Sequence, residues 1–347
     1  MGTSRSTCEI FVCGIVCLLT FCVTEISPST DTEKPAVTGS KNVNRNSDLT
    51  IMKLGSAKRC PGLYCGYVGN GECGACPRGY QPNSQSECIE CNSTPSFYDC
   101  LYLGFMALLS LALNWFFIDY KTRGKRSVVV LHVSALIESV LAALLTLILS
   151  DPIGPLTIRS CQANYLSDWY TLFYNPSPNY TTTLHCTQEI VYPLYTMVMV
   201  YYAFSLVFLM AIRPIVSYKL VDGRGTKSIY AALYFLPILI VVHAVFAGLL
   251  YYAFPFIVVV VSVITSAIHL SCMDEQNMKS LFINSFTNGR NATILIGHWI
   301  LHAYGVIAIT KLEDPSFHAT LIALVPFPAI FYILTVRFSN PDNLEKV

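Results

Sequence analysis

The chain has 347 residues, of which 53% are hydrophobic and 12% charged, where an ordinary soluble domain carries about 25% charged residues. A mean hydropathy of +0.51, carried by long unbroken apolar runs, excludes a water-soluble globule and indicates an integral membrane protein with the lipid bilayer as its first partner. A net charge of +1, from 22 basic and 21 acidic residues, leaves no basic excess for a nucleic-acid surface.

At the N-terminus, Arg5 precedes the apolar stretch Ile10 to Val23. About 14 residues fall short of the roughly 20 needed to cross a bilayer. The basic start and the small or polar end read instead as a secretory signal peptide over residues 1–24, cleaved near Thr24. Cys8, Cys13, Cys17 and Cys22 would leave with it. Retained, this segment would make an eighth helix. Residues 25–59 are rich in Ser, Thr, Asn and Lys, too polar to bury the surface that ordering requires, and read as a flexible linker.

A cysteine-rich module follows over residues 60–99. Cys60, Cys65, Cys73, Cys76, Cys88 and Cys91 fall within 32 residues, the last four spaced C-x2-C-x11-C-x2-C. That spacing fits a tetrahedral zinc site, because each C-x2-C turn presents two thiolates. It fits equally a disulfide module, in which crosslinks replace a core too small to hold alone. A signal peptide delivers the segment to an oxidising lumen, which favours disulfides. Spacing does not choose among the fifteen pairings open to six cysteines.

From Leu101 onward, seven apolar runs of about 20 residues succeed one another, each long enough for a helix across roughly 30 Å of hydrocarbon. They are Leu101 to Ile118, Ser127 to Leu149, Ile190 to Ile212, Ile229 to Ala247, Tyr251 to Ser271, Thr293 to Thr310 and Phe317 to Val336. The predicted fold class is an all-α polytopic membrane protein, with seven transmembrane helices over residues 100–337 and a small cysteine-rich lumenal head. Basic residues mark the cytoplasmic side. Lys121, Arg123, Lys125, Arg126, Arg213, Lys219, Arg224, Lys227, Lys279, Arg290, Arg337 and Lys346 stand on one side, against Arg159 and Lys311 on the other. This places the cysteine-rich head in the lumen and the tail, residues 338–347, in the cytoplasm. The lumenal loop between spans two and three holds Cys161 and Cys186, which could pair with each other, and the glycosylation sequon Asn179-Tyr180-Thr181.

Ionisable groups inside hydrocarbon cost on the order of 2 to 3 kcal/mol and so mark candidate sites. Glu138 lies near the middle of span two, on one helical face with Ser134. His298 and His302 stack one turn apart in span six. Two histidines and a carboxylate would make a three-ligand zinc site with one position for water, the arrangement of a membrane hydrolase. The alternative is hydrogen bonding between helices, which is also the reading for His243, His269 and Asn114. Tyr192, Tyr195, Tyr251 and Tyr252 read as interfacial belts. There is no P-loop, no G-x-S-x-G and no H-E-x-x-H. Arg213 is followed by Pro214 rather than completing an acidic-Arg-Tyr triplet, which disfavours a rhodopsin-like receptor. The segment Cys272 to Asn291 carries Met273, Met278, Leu281, Phe282 and Phe286 at near-helical spacing. It suits a membrane-surface helix, a partner helix or a solvated loop.

Several strings resemble the JNK-associated membrane protein family. They are Tyr98-Asp99-Cys100-Leu101-Tyr102-Leu103-Gly104-Phe105-Met106, Ser167-Asp168-Trp169-Tyr170 with Tyr174-Asn175-Pro176-Ser177-Pro178, and Val191-Tyr192-Pro193-Leu194-Tyr195. Ser228-Ile229-Tyr230-Ala231-Ala232-Leu233-Tyr234-Phe235 and His298-Trp299 through His302-Ala303-Tyr304-Gly305 belong with them. The resemblance runs from about Cys60 to Arg337. It implies a seven-span protein of the endoplasmic reticulum membrane, an adaptor in ubiquitin-dependent degradation of misfolded proteins. Its implied partners are proteasome subunits, membrane RING-type ubiquitin ligases and a JNK-type kinase. It brings no catalytic residues and no cofactor. The intramembrane zinc hydrolase, and a ligand-sensing receptor built on the cysteine-rich head, are the alternatives.

Overall fold

The computed structural model describes residues 59–339 apart from positions 70, 123–127, 152, 155–157, 175–185, 222–224, 274 and 312–314. The signal peptide, all but the last residue of the linker, the Asn179 sequon, the tail beyond Ser339 and the basic residues Arg123, Lys125, Arg126, Arg224 and Lys346 lie outside the described residues.

The head is two small antiparallel ribbons. β1 (Cys65–Val68) pairs with β2 (Glu72–Ala75), Cys65 opposite Ala75, and β3 (Tyr80–Pro82) pairs with β4 (Cys88–Glu90), Tyr80 opposite Glu90. Two-stranded ribbons of this size do not hold themselves together in water; four disulfides do so here. Cys60–Cys73 and Cys76–Cys88 lie within the head, whereas Cys65–Cys186 and Cys91–Cys161 bind it to the loop between the second and third helices. Gly66 passes under the Cys76–Cys88 bridge so closely that a Cβ there would stand 2.5 Å from both sulfurs.

All eight predicted disulfide cysteines are bridged, but two expectations change. Cys161 and Cys186 do not pair with each other, and the head is not crosslinked only to itself. The zinc alternative for Cys73, Cys76, Cys88 and Cys91 fails because every one of those sulfurs sits in a disulfide.

The helices begin at α1 (Phe97–Thr122), whose start is capped reciprocally: Ser96 N–H donates to Asp99 Oδ2 at 2.8 Å and Asp99 N–H to Ser96 Oγ at 3.1 Å. α2 (Val128–Leu149) returns alongside it. Two short 3-10 turns, Leu166–Trp169 and Thr171–Tyr174, precede α3 (Leu194–Leu220). α4 (Thr226–Ser271), α5 (Met278–Thr287) and α6 (Gly289–Thr310) follow, then α7 (Pro315–Ala323) and α8 (Phe327–Ser339), which are separated by a turn at residues 324–326. The main core gathers Tyr102, Leu194, Tyr202, Leu236 and Phe254, none with exposed surface. A second cluster at the end away from the disulfides joins Leu270, Leu281, Leu295, Ala329 and Ile333.

Six helical segments among the described residues are long and apolar enough to cross a membrane, where the sequence predicts seven runs. The difference is α4, whose 46 residues absorb both predicted spans four and five. At 1.5 Å per residue it is about 69 Å long, more than twice the hydrocarbon thickness. Leu236 and Phe254 join α1 and α3 in the main core, Ser262 meets His302 of α6 and Leu270 joins α8 in the second cluster. Between Leu236 and Phe254, Gly248 lies under Trp169: a Cβ there would meet the Trp169 Cβ at 2.7 Å and Tyr170 Cε2 at 2.9 Å. Gly248→Leu is therefore expected to lever the 166–174 loop off the bundle and to cost about 1–3 kcal/mol by overpacking. Thermal unfolding of the detergent-purified protein reads this effect, and an unchanged midpoint contradicts the contact.

Tyr192 and Tyr251 are not belt residues. Both are buried, and the Tyr251 hydroxyl donates to Asp99 Oδ1 at 2.7 Å.

Candidate functional site

The predicted site residues fall into two separate places. Glu138 sits on α2 one turn after Ser134, whose hydroxyl donates to Glu138 Oε1 at 2.7 Å. Its main partner is Arg213, on α3. Arg213 Nε donates to Glu138 Oε1 at 3.2 Å and Nη2 to Oε2, while Nη1 donates to Asn114 Oδ1 on α1 at 2.7 Å. Asn114 in turn donates to the Ser110 carbonyl at 3.0 Å. Arg213 has no exposed surface and Glu138 almost none. Three helices are thus fastened by one guanidinium, whose planar fork can serve a carboxylate with two nitrogens and an amide with a third.

Arg213 is accordingly not the cytoplasmic loop residue that the charge count made of it. The excess of basic residues in the loops of one side survives its removal. About three turns before Arg213 on α3, Tyr201 shares hydrogen bonds with Ser110 of α1 at 2.9 Å and Ser139 of α2 at 2.8 Å, which extends the same polar seam.

His298 and His302 face α4 instead. His302 Nδ1 lies 3.1 Å from Ser262 Oγ, and the His298 ring lies 6.2 Å from that of His269. Glu138 does not join them. Among the described residues no group of three or more His, Cys, Asp and Glu is placed to hold a metal ion. His243 Nε2 lies 3.1 Å from the Tyr195 carbonyl oxygen, and Nδ1 lies 3.4 Å from the Tyr102 hydroxyl, again a bond between helices.

A second constellation fixes the disulfide-bearing end. Asp168 Oδ2 accepts from the backbone N–H of Asn164 at 2.9 Å and of Tyr165 at 2.8 Å, and its Oδ1 accepts from the Tyr64 hydroxyl of the head at 2.8 Å. Burial and then the Asp151 carboxylate, which accepts from the Tyr192 hydroxyl at 2.7 Å, push the Tyr192 phenol up to about 12. Arg78 of the head stands 5.3 Å from the centre of that ring.

Glu189 accepts from the Thr196 N–H at 2.9 Å and from the Thr196 hydroxyl. Burial raises its carboxyl above the usual carboxylate range despite those bonds and the charge of Arg78. A raised folded value means that protonation favours the folded end. That contribution is full below about pH 4.3, the unfolded value, and is lost as pH rises through the folded one. Stability is expected to fall along that rise in the wild type and less in Glu189→Gln; coincident pH profiles would contradict the burial.

Nothing in the sequence pointed to Arg213 as the partner of Glu138. The available signal was Glu138 itself, since a carboxylate in hydrocarbon requires a cation or a donor somewhere.

A family model described as JNK1/MAPK8-associated membrane protein matches residues 60–341. The chain is 48% identical over 299 residues to the mouse and human proteins named JNK1/MAPK8-associated membrane protein, a match covering 82% of this chain and 95% of theirs. A Caenorhabditis elegans protein named as a homolog of these is 31% identical over 282 residues, covering 79% of this chain and 86% of its own. No solved structure matches the chain.

Proposed function

The chain belongs to the JNK1/MAPK8-associated membrane protein family, and from that premise we propose that it is an adaptor of the endoplasmic reticulum membrane. It gathers proteasomes and membrane-bound RING-type ubiquitin ligases at its cytoplasmic face for the disposal of misfolded proteins, and it binds a JNK-type kinase there. The observation that carries this reading is a match, along 82% of the chain, to relatives named for what they associate with.

The geometry supports binding over reaction. Glu138 is held by Arg213, Asp99 by Tyr251, His302 by Ser262 and His243 by Tyr195. Each of these pairs crosses from one helix to another, and such bonds set helix register rather than present a group to substrate. The orientation has two supports. The four disulfides gather at one end of the bundle, as an oxidising lumen requires, and the basic residues favour the other end as the cytoplasmic one.

An adaptor needs surface beside the membrane rather than a pocket. The connection that follows Leu220, the segment around α5 and the tail are the stretches offered for it. Proximity labelling from a C-terminal fusion under folding stress tests the proposal. Proteasome subunits and a membrane ubiquitin ligase are expected among the labelled proteins, and their labelling is expected to fall when residues 272–291 are replaced. A labelled set drawn only from lumenal proteins would end the reading.

A further inference from the structure

α5 is a short helix with too much uncovered apolar surface for a solvated loop. It buries Leu281 and Ser285 against its neighbours, yet Met278, Phe282, Ile283 and Phe286 remain between 44% and 55% exposed. Those side chains form one wall of a cavity of about 560 Å³, which α6 and α8 close with Leu295, Trp299, Ile330 and Ile333. Among the described residues Lys279 is the one charged group of that lining, and it is exposed.

Leu295 and Trp299 stand one turn apart on α6, as Ile330 and Ile333 do on α8. The cavity therefore runs along helices that have the length and composition of membrane spans. Such a space is reached from lipid, not from water. Its volume lies within the roughly 300–1,000 Å³ of small-molecule sites. A second helix, about 10 Å across with its side chains, would need a longer and more open groove.

We propose that this cavity binds one glycerophospholipid, with an acyl chain laid between α5, α6 and α8 and its phosphate on Lys279. Moving a chain from bulk lipid into an apolar groove gains nothing from the hydrophobic effect, because lipid tails are as apolar as leucine. Retention and selectivity therefore rest on packing and on the ammonium meeting the phosphate. The site lies beside the segment 272–291 offered to partners, so a bound lipid would hold α5 flat in the membrane surface.

The test uses the full chain in a mild non-ionic detergent. Native mass spectrometry through stepwise delipidation is expected to show one phospholipid retained by the wild type. At least fivefold less is expected on Lys279→Glu, at an exposed position, and on Ile333→Trp, which fills the cavity. A second measurement covers a misfolded Ile333→Trp protein. Phospholipid with brominated acyl chains should quench wild-type tryptophan fluorescence, and Trp299→Phe should remove that quenching, since Trp115 and Trp169, the only other tryptophans, are buried. Equal retention and equal quenching in all variants would overturn the proposal. So would a second protein chain or a second copy in the cavity, or an acyl mass released by hydroxylamine from Cys272, which is exposed at the end of α4.

Discussion

Arg213→Ala is expected to destabilise the membrane domain by about 3–5 kcal/mol, the cost of leaving a buried partner charge uncompensated. Among the described residues Glu138 would keep the Ser134 hydroxyl as its one remaining side-chain donor, and Asn114 would lose its 2.7 Å donor. Arg213→Lys is expected to recover little, because a point charge cannot fork to Glu138 and Asn114 together.

The informative variant is the double one. Replacing a buried ion pair by apolar residues of similar volume is often neutral or stabilising, so Glu138→Met with Arg213→Met should stand well above either single change. A double-mutant cycle on thermal unfolding in detergent measures the coupling. Additive losses, with the double variant the least stable, would show that the two groups do not depend on one another.

The disulfide wiring leads to the second large effect. Cys65–Cys186 and Cys91–Cys161 close loops of 121 and 70 residues, against 13 and 12 for the two bridges inside the head. On the chain-entropy account the long closures are worth about 4–5 kcal/mol each and the short ones about 3. Removing both partners of a long bridge, as in Cys91→Ser with Cys161→Ser, should therefore cost more than removing Cys60 and Cys73 together.

The wiring itself has a sharper readout. A protease site inserted between Asn92 and Phe97, once cut, should leave the head attached until a reductant is added, because the crosslinks to Cys161 and Cys186 persist. Release of the head without reduction would mean that its cysteines pair only among themselves.

These two features also mark the limits of what the sequence discloses. Bilayer thickness imposes run length, so α1, α2 and α6 are legible within a few residues from apolar content alone, whereas α3 runs on to Leu220, past the Ile212 at which its apolar run ends. The merger of spans four and five into α4 is not legible. Its middle, Gly248-Leu249-Leu250, carries no charge and no proline, so hydropathy separates two runs where the backbone makes one helix. A break there was an inference from length.

That all eight cysteines would be bridged followed from their even number and their compartment. The pairing depends on how the loop after α2 folds back over the head, which spacing does not encode. Glu138 was recognisable as a group in need of a partner, whereas its partner stands 75 residues away in sequence. Counting charges at helix ends treats any arginine there as solvated, and that assumption hid Arg213. Tyr251 was misread for a related reason: an aromatic near a span end looks interfacial until a buried carboxylate, here Asp99, is brought against it.

The adaptor account stands or falls with the side of the membrane on which each end lies. Sealed microsomes bearing a tag fused after Val347 decide it. Added protease should remove the tag while the disulfide-bonded head stays intact until detergent opens the vesicles. A tag that survives, with the head digested, would place the basic end in the lumen and leave no surface for cytosolic machinery.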